Sequence, residues 1–150
     1  MAFNDHAGEL NPAPISINRP VISLAGAKQV IAAAHAEAVQ NGWNIAVAVV
    51  DTSGELIALE KTDAAIPISP SVATGKAKTA ALLQLPSKEF ESFINAGQPS
   101  FLSTPGTTPL EGGVPLMISG QCVGAVGISG AHGPNDSQVA EAAAKALNLV

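Results

Sequence analysis

Residues 112–130 constrain this chain more than any other stretch. Two short apolar runs, Val114 to Ile118 and Cys122 to Ile128, flank Ser119-Gly120-Gln121, and a Gly-centred connection of that length closes a β-hairpin. Ser129-Gly130-Ala131-His132-Gly133 then breaks the strand, and Asn135 predicts the cap of a helix whose first turn carries Asp136 and Gln138. A strand, a glycine-rich loop and a capped helix N-terminus in succession predict a binding edge. Gly124 and Gly127 sit inside the second run, where a missing side chain predicts close approach by a helix or another backbone.

The remaining sequence supplies a second hairpin and more helices. Ser23 is placed to cap a helix running to about Gln40, with Leu24, Ala27, Ile31, Ala34 and Ala38 on one face and Asn41-Gly42 as its stop. Ile45 to Val50 is apolar on both faces, which predicts a central strand covered on each side. Asp51-Thr52-Ser53-Gly54 turns the chain, and Glu55 to Glu60 returns as the partner strand. Ser69-Pro70 opens another helix that Pro86 stops, and Ser87 opens a short one ending near Gly97.

Gln98 to Leu110 contains Pro99, Pro105 and Pro109 among repeated Ser and Thr, predicting irregular chain or a short strand followed by a loop. The order helix, hairpin, helices, hairpin, helix argues for an α+β fold, an antiparallel sheet with helices packed on it, and against a parallel doubly wound sheet. Residues 1–20 read as a flexible N-terminal arm, in which Ile15-Ser16-Ile17 can add an edge strand or lie across a neighbouring subunit. Residues 21–150 read as a single domain.

Charge and composition narrow the partners. The chain carries a net charge of -5 with its basic residues scattered singly, so it offers no basic stripe for phosphates. Trp43 and four Phe, with no Tyr, supply few stacking platforms, and nucleic acid is not an expected partner. Cys122 is the only cysteine, which excludes an internal disulfide and a cysteine-based zinc knuckle; in an apolar strand it reads as a buried small hydrophobe. No basic start followed by an apolar run precedes Pro20, and no apolar segment approaches the roughly 20 residues of a membrane span. The expectation is a soluble, cytoplasmic protein.

Several catalytic patterns fail on their residues. Gly127-Ile128-Ser129-Gly130-Ala131 lacks the last glycine of a nucleophile elbow. Gly124, Gly127 and Gly130 do not make a dinucleotide fingerprint. Lys76 and Lys78 follow Gly75 without the spacing of a phosphate-binding loop and read as solvated charges.

Taken as a set, Val49-Val50-Asp51-Thr52-Ser53-Gly54, Lys76-Ala77-Lys78-Thr79-Ala80, Gly112-Gly113-Val114-Pro115 and Gly124-Ala125-Val126-Gly127-Ile128-Ser129-Gly130 resemble the successive signatures of the GlcG/HbpS-like haem-binding family. The resemblance covers about residues 21 to 150. It implies a profilin-like α-β-α sandwich with a five-stranded antiparallel sheet, assembled as homodimers or larger rings. It also implies a small ligand, with haem or a related tetrapyrrole leading, although other members are encoded beside catabolic enzymes. The family's iron-sensing members use paired glutamates at helical spacing, and this chain has no Glu-x-x-Glu. No metal site is expected.

Haem needs an axial donor and an apolar slot, and the histidines are His6, His35 and His132. His6 falls in the arm and reads as a surface residue. His35, at the border of the first helix's apolar stripe, is a candidate ligand or a boundary histidine bonded to a neighbour. His132, in the glycine-rich loop, is a candidate on either reading. Within the fold that the resemblance implies, residues 105–113, the helix bearing Lys76 and the His132 loop converge. There the N–H groups of Gly112 and Gly113 and the charge of Lys76 would receive a carboxylate or propionate. The alternative to ligand binding is a cofactor-free catabolic enzyme of tautomerase type on a small hydroxy or oxo acid, with Glu111 or His132 moving a proton.

Overall fold

The computed structural model describes residues 12–149. Helix α1 spans Leu24–Asn41, strands β1 and β2 span Ala46–Val50 and Leu56–Lys61, and helices α2 and α3 span Ser69–Leu83 and Ser87–Asn95. Strands β3 (Gly113–Ile118) and β4 (Gln121–Ser129) precede helix α4 at Gly133–Lys145. The four strands form one antiparallel sheet in the order β2-β1-β4-β3.

Local signals explain the ends of α1. Ser23 Oγ accepts the amide of Gly26 at 3.0 Å, a cap worth about 1 kcal/mol. Gly42 closes the helix at φ 73° with its N–H on the carbonyls of Ala38 and Val39, a conformation that glycine adopts without a Cβ clash. The buried stripe is Ala27, Val30, Ile31, Ala34 and Ala38. Leu24, expected on that stripe, is the first residue of α1 and is 52% exposed.

β1 is buried along its whole length, as its two-sided apolar run predicts. Val47 and Val49 join Val126, Ile128 and Leu116 under α1 and α4. Ala46, Ala48 and Val50 face α2 through Ala73, Ala77 and Ala80. The second face is built of small side chains, and the α2 backbone comes down onto the sheet. A Cβ at Gly127 would strike the Ala73 carbonyl and lie 2.6 Å from the Ala77 amide. Gly124 instead clears the Val50 carbonyl of β1 and Ile22, so of these two glycines it is Gly127 that admits a helix.

The sheet has four strands where the family resemblance implies five. Residues 98–110 form a 3-10 turn at Pro99–Ser103 and a loop. Pro99, Pro105 and Pro109 have no N–H to donate to a ladder, and Phe101 is drawn onto α3, its ring 5.7 Å from Phe90 and 5.9 Å from Phe93. β3 is left at the sheet edge, where Pro115 is tolerated. Ile15 and Ile17 add no strand and are exposed. The chain joins the core at Ile22, which donates to Val123 O at 2.9 Å.

Candidate functional site

α2, the loop before β3 and the start of α4 meet at one end of the sheet, bringing Lys76, Glu111, Gly112 and Gly113 close together. Lys76 is buried rather than solvated: Nζ donates to Asp136 Oδ2 at 3.0 Å and to Ile128 O at 2.9 Å. The lysine and aspartate side chains are 4% and 3% exposed. Asp136 Oδ1 accepts the amide of Ala131 at 2.9 Å. The ion pair therefore ties α2, the end of β4 and the loop into α4, and the carboxylate neutralises the Lys76 ammonium.

The glycines are enclosed by the same contacts. Gly112 has φ 126°, and a Cβ there would come within 2.9 Å of Lys76 Nζ and 2.8 Å of Ile128 O. A Cβ at Gly113 would meet the Lys76 carbonyl, and its own N–H donates to Ser87 Oγ at 2.8 Å. Glu111 is half-buried; its Oε2 accepts from Ser137 Oγ at 2.8 Å, and its amide donates to Glu91 Oε2 at 3.3 Å. Convergence of these elements is what the sequence leads one to expect. Their polar atoms, however, bond to one another and leave no open carboxylate cradle at Gly113.

The histidines lie apart from that junction's interior. His35 is half-buried on α1, with Nε2 2.8 Å from Glu60 Oε1 on β2. His132 is exposed and occupies the cap position of α4 at φ 74°, ψ 152°. Asn135, expected to be the cap, lies inside the first turn and sends Nδ2 back to Ala131 O at 2.9 Å. His132 takes the cap position because its carbonyl accepts the Asp136 amide at 2.7 Å, which starts the helix three residues earlier. His6 falls outside the described residues.

A cavity of about 610 Å³ opens at the opposite end of the β3–β4 hairpin, lined by Arg19, Ser53, Gln84, Met117 and Cys122 among others. It contains no histidine. Cys122 is half-buried there, Sγ donating to Gly124 O at 3.3 Å. Among the described residues no group of His, Cys, Asp and Glu is arranged to hold a metal ion, and no helix is long and apolar enough to cross a membrane.

Asp136, Ser87 and Ser137 were not singled out as partners by the sequence. The place of Asp136 in the first turn of α4 was visible, but its link to Lys76 spans 60 residues and has no local signature.

Residues 22–145 match the model of a family described as haem degrading protein, HbpS-like. Protein GlcG of Escherichia coli K12 is 43% identical over 109 residues, covering 73% of this chain and 81% of its own. A crystal structure of an HbpS double mutant from Streptomyces reticuli superposes with a TM-score of 0.82 at 32% identity, covering 91% of this chain and 97% of that one. A PduOC:heme complex superposes at 0.76 and 26% identity, covering 85% and 96%.

Proposed function

The chain belongs to the HbpS-like family, and from that membership we propose that it binds haem or a related tetrapyrrole. The observation carrying this reading is the fold shared with the PduOC:heme complex over most of both chains. The available donors are His35, half-buried with Nε2 on Glu60 Oε1, and His132, which is exposed; haem iron accepts an imidazole nitrogen. When bound, the group would supply its own redox chemistry; this chain's part is to hold it.

Catalysis on a small oxo acid is not favoured. It requires Lys76 as a free counter-charge and Gly113 N–H as an anion donor, and these are engaged by Asp136 and Ser87. Our reading also includes a single ligand-binding unit over residues 21–150, a homo-oligomeric state and a cytoplasmic setting.

The test is titration of the full chain with haem. A saturable shift of the Soret band with one haem per chain is expected. A spectrum equal to free haem plus protein at every ratio would remove the reading.

A further inference from the structure

The cavity at the turn end of the β3–β4 hairpin differs from the Lys76 junction in that its polar groups are open. At about 610 Å³ it lies in the size range of small-molecule sites. Arg19, Asn18, Thr52, Ser53, Gln84 and Gln121 line it. None of these six side chains has a hydrogen-bond partner among the described residues; the lining side chain that does is Cys122, on Gly124 O. Arg19 enters no ion pair among the described residues, and no Asp, Glu, Lys or His lines the cavity. In a chain of net charge -5, a concave surface with one cation, neutral polar side chains and no acid attracts a negative charge without repelling it.

The walls are fixed by contacts of their own. Ile22, three residues after Arg19, donates to Val123 O at 2.9 Å and anchors this end of the chain to β4. Asp51 Oδ1 accepts the amides of Ser53 and Glu55 at 2.8 and 3.0 Å, which holds the turn that carries Thr52 and Ser53. Ser119 and Gly120, at φ 50° and 78°, close the hairpin with the two positive angles of a tight β-turn.

These groups define the ligand's chemistry. A guanidinium is a planar fork that matches one carboxylate. Side-chain amides and hydroxyls both donate and accept, as the hydroxyls of a sugar do. One cation among several neutral polar groups therefore fits a ligand with a single negative charge and many hydroxyls. We propose that this cavity binds a polyhydroxy monocarboxylate of the sugar-acid type, its carboxylate on Arg19 and its hydroxyls on Ser53, Gln84 and Gln121. The site is separate from the haem reading and does not depend on it.

Cys122, the chain's only cysteine, lines the cavity opposite Met117 and reports its occupancy. The full chain is titrated calorimetrically with D-gluconate and D-glucuronate, and alkylation of Cys122 by iodoacetamide is timed with and without each. Glucose serves as the ligand without the charge, and inorganic phosphate as the charge without the sugar hydroxyls. The expected result is saturable binding of a sugar acid at one per chain, slower alkylation when it is bound, and an affinity lower by about tenfold or more in Arg19→Gln. Arg19 is exposed, so this variant should melt with the parent. Gln84→Gly, which suits the left-handed backbone at φ 54°, should also bind more weakly. The proposal is overturned if neither sugar acid gives saturable binding, if either variant binds as the parent does, or if glucose or phosphate binds as tightly as the sugar acid. None of these outcomes bears on the Soret titration.

Discussion

Lys76 Nζ lies 3.0 Å from Asp136 Oδ2, a contact between residues 60 apart in sequence, and both side chains are almost completely shut off from solvent. Each charge was taken out of water at a cost of several kcal/mol, met by the partner and by the extra bonds to Ile128 O and Ala131 N. Removing one member leaves the other buried alone. Asp136→Ala or Lys76→Met should each destabilise the chain by about 3–5 kcal/mol. The double change Lys76→Met with Asp136→Leu should be more stable than either single variant. Urea midpoints for the three variants check this; a double variant no better than the worse single one would mean that the charges are not coupled.

Gly127 should tolerate no side chain. A Cβ there meets the carbonyl of Ala73 and the amide of Ala77, which are helix backbone and cannot rotate aside as a side-chain tip can. Gly127→Val should cost about 1–3 kcal/mol by forcing α2 off the sheet. Gly124→Val should cost a similar amount through Val50 O and Ile22. The melting temperature of the ligand-free protein measures both; an unchanged value for Gly127→Val would remove the close-approach argument.

What the sequence revealed here was mostly local. Ser23 and Gly42 mark α1, Asp51 to Gly54 and Ser119 to Gln121 mark the hairpins, and Pro86 ends α2, because each signal acts within a few residues. Lys76 gave no such signal, since its partner arrives only when α4 is placed over the end of β4. The missing fifth strand was half legible. The prolines of residues 98–110 argue against a ladder, while the family resemblance argues for one, and Phe101 stacking on α3 decides between them. The place of His132 at the start of α4 was hidden because Asn135 looked like the better cap.

β3 forms an open edge of the sheet, and apolar side chains gather on it and on the segments beside it. Phe93, Phe101, Leu102, Leu110, Met117 and Ile118 are each 40% exposed or more. An uncovered edge next to apolar surface is a site for pairing, and a second copy brings the same surface to it. Light scattering at micromolar concentration should give at least twice the 15.0 kDa chain mass. A strictly monomeric mass would count against the homo-oligomer.

Glu111→Gln separates ligand binding from proton transfer. Ser137 Oγ donates to Glu111 Oε2, and a Gln at this position keeps a carbonyl acceptor for that hydroxyl while losing the ability to take up a proton at neutral pH. If the chain's role is to hold haem, the variant should melt close to the parent and give the same Soret maximum and stoichiometry. If Glu111 instead served as a general base on a small oxo acid, turnover of such an acid would fall by roughly 10²-fold or more with little change in haem titration. The expected outcome is an unchanged haem spectrum in Glu111→Gln, with no oxo-acid turnover above background in the parent. Measurable turnover in the parent that disappears in the variant would return Glu111 to a catalytic role and make the haem spectrum a secondary property.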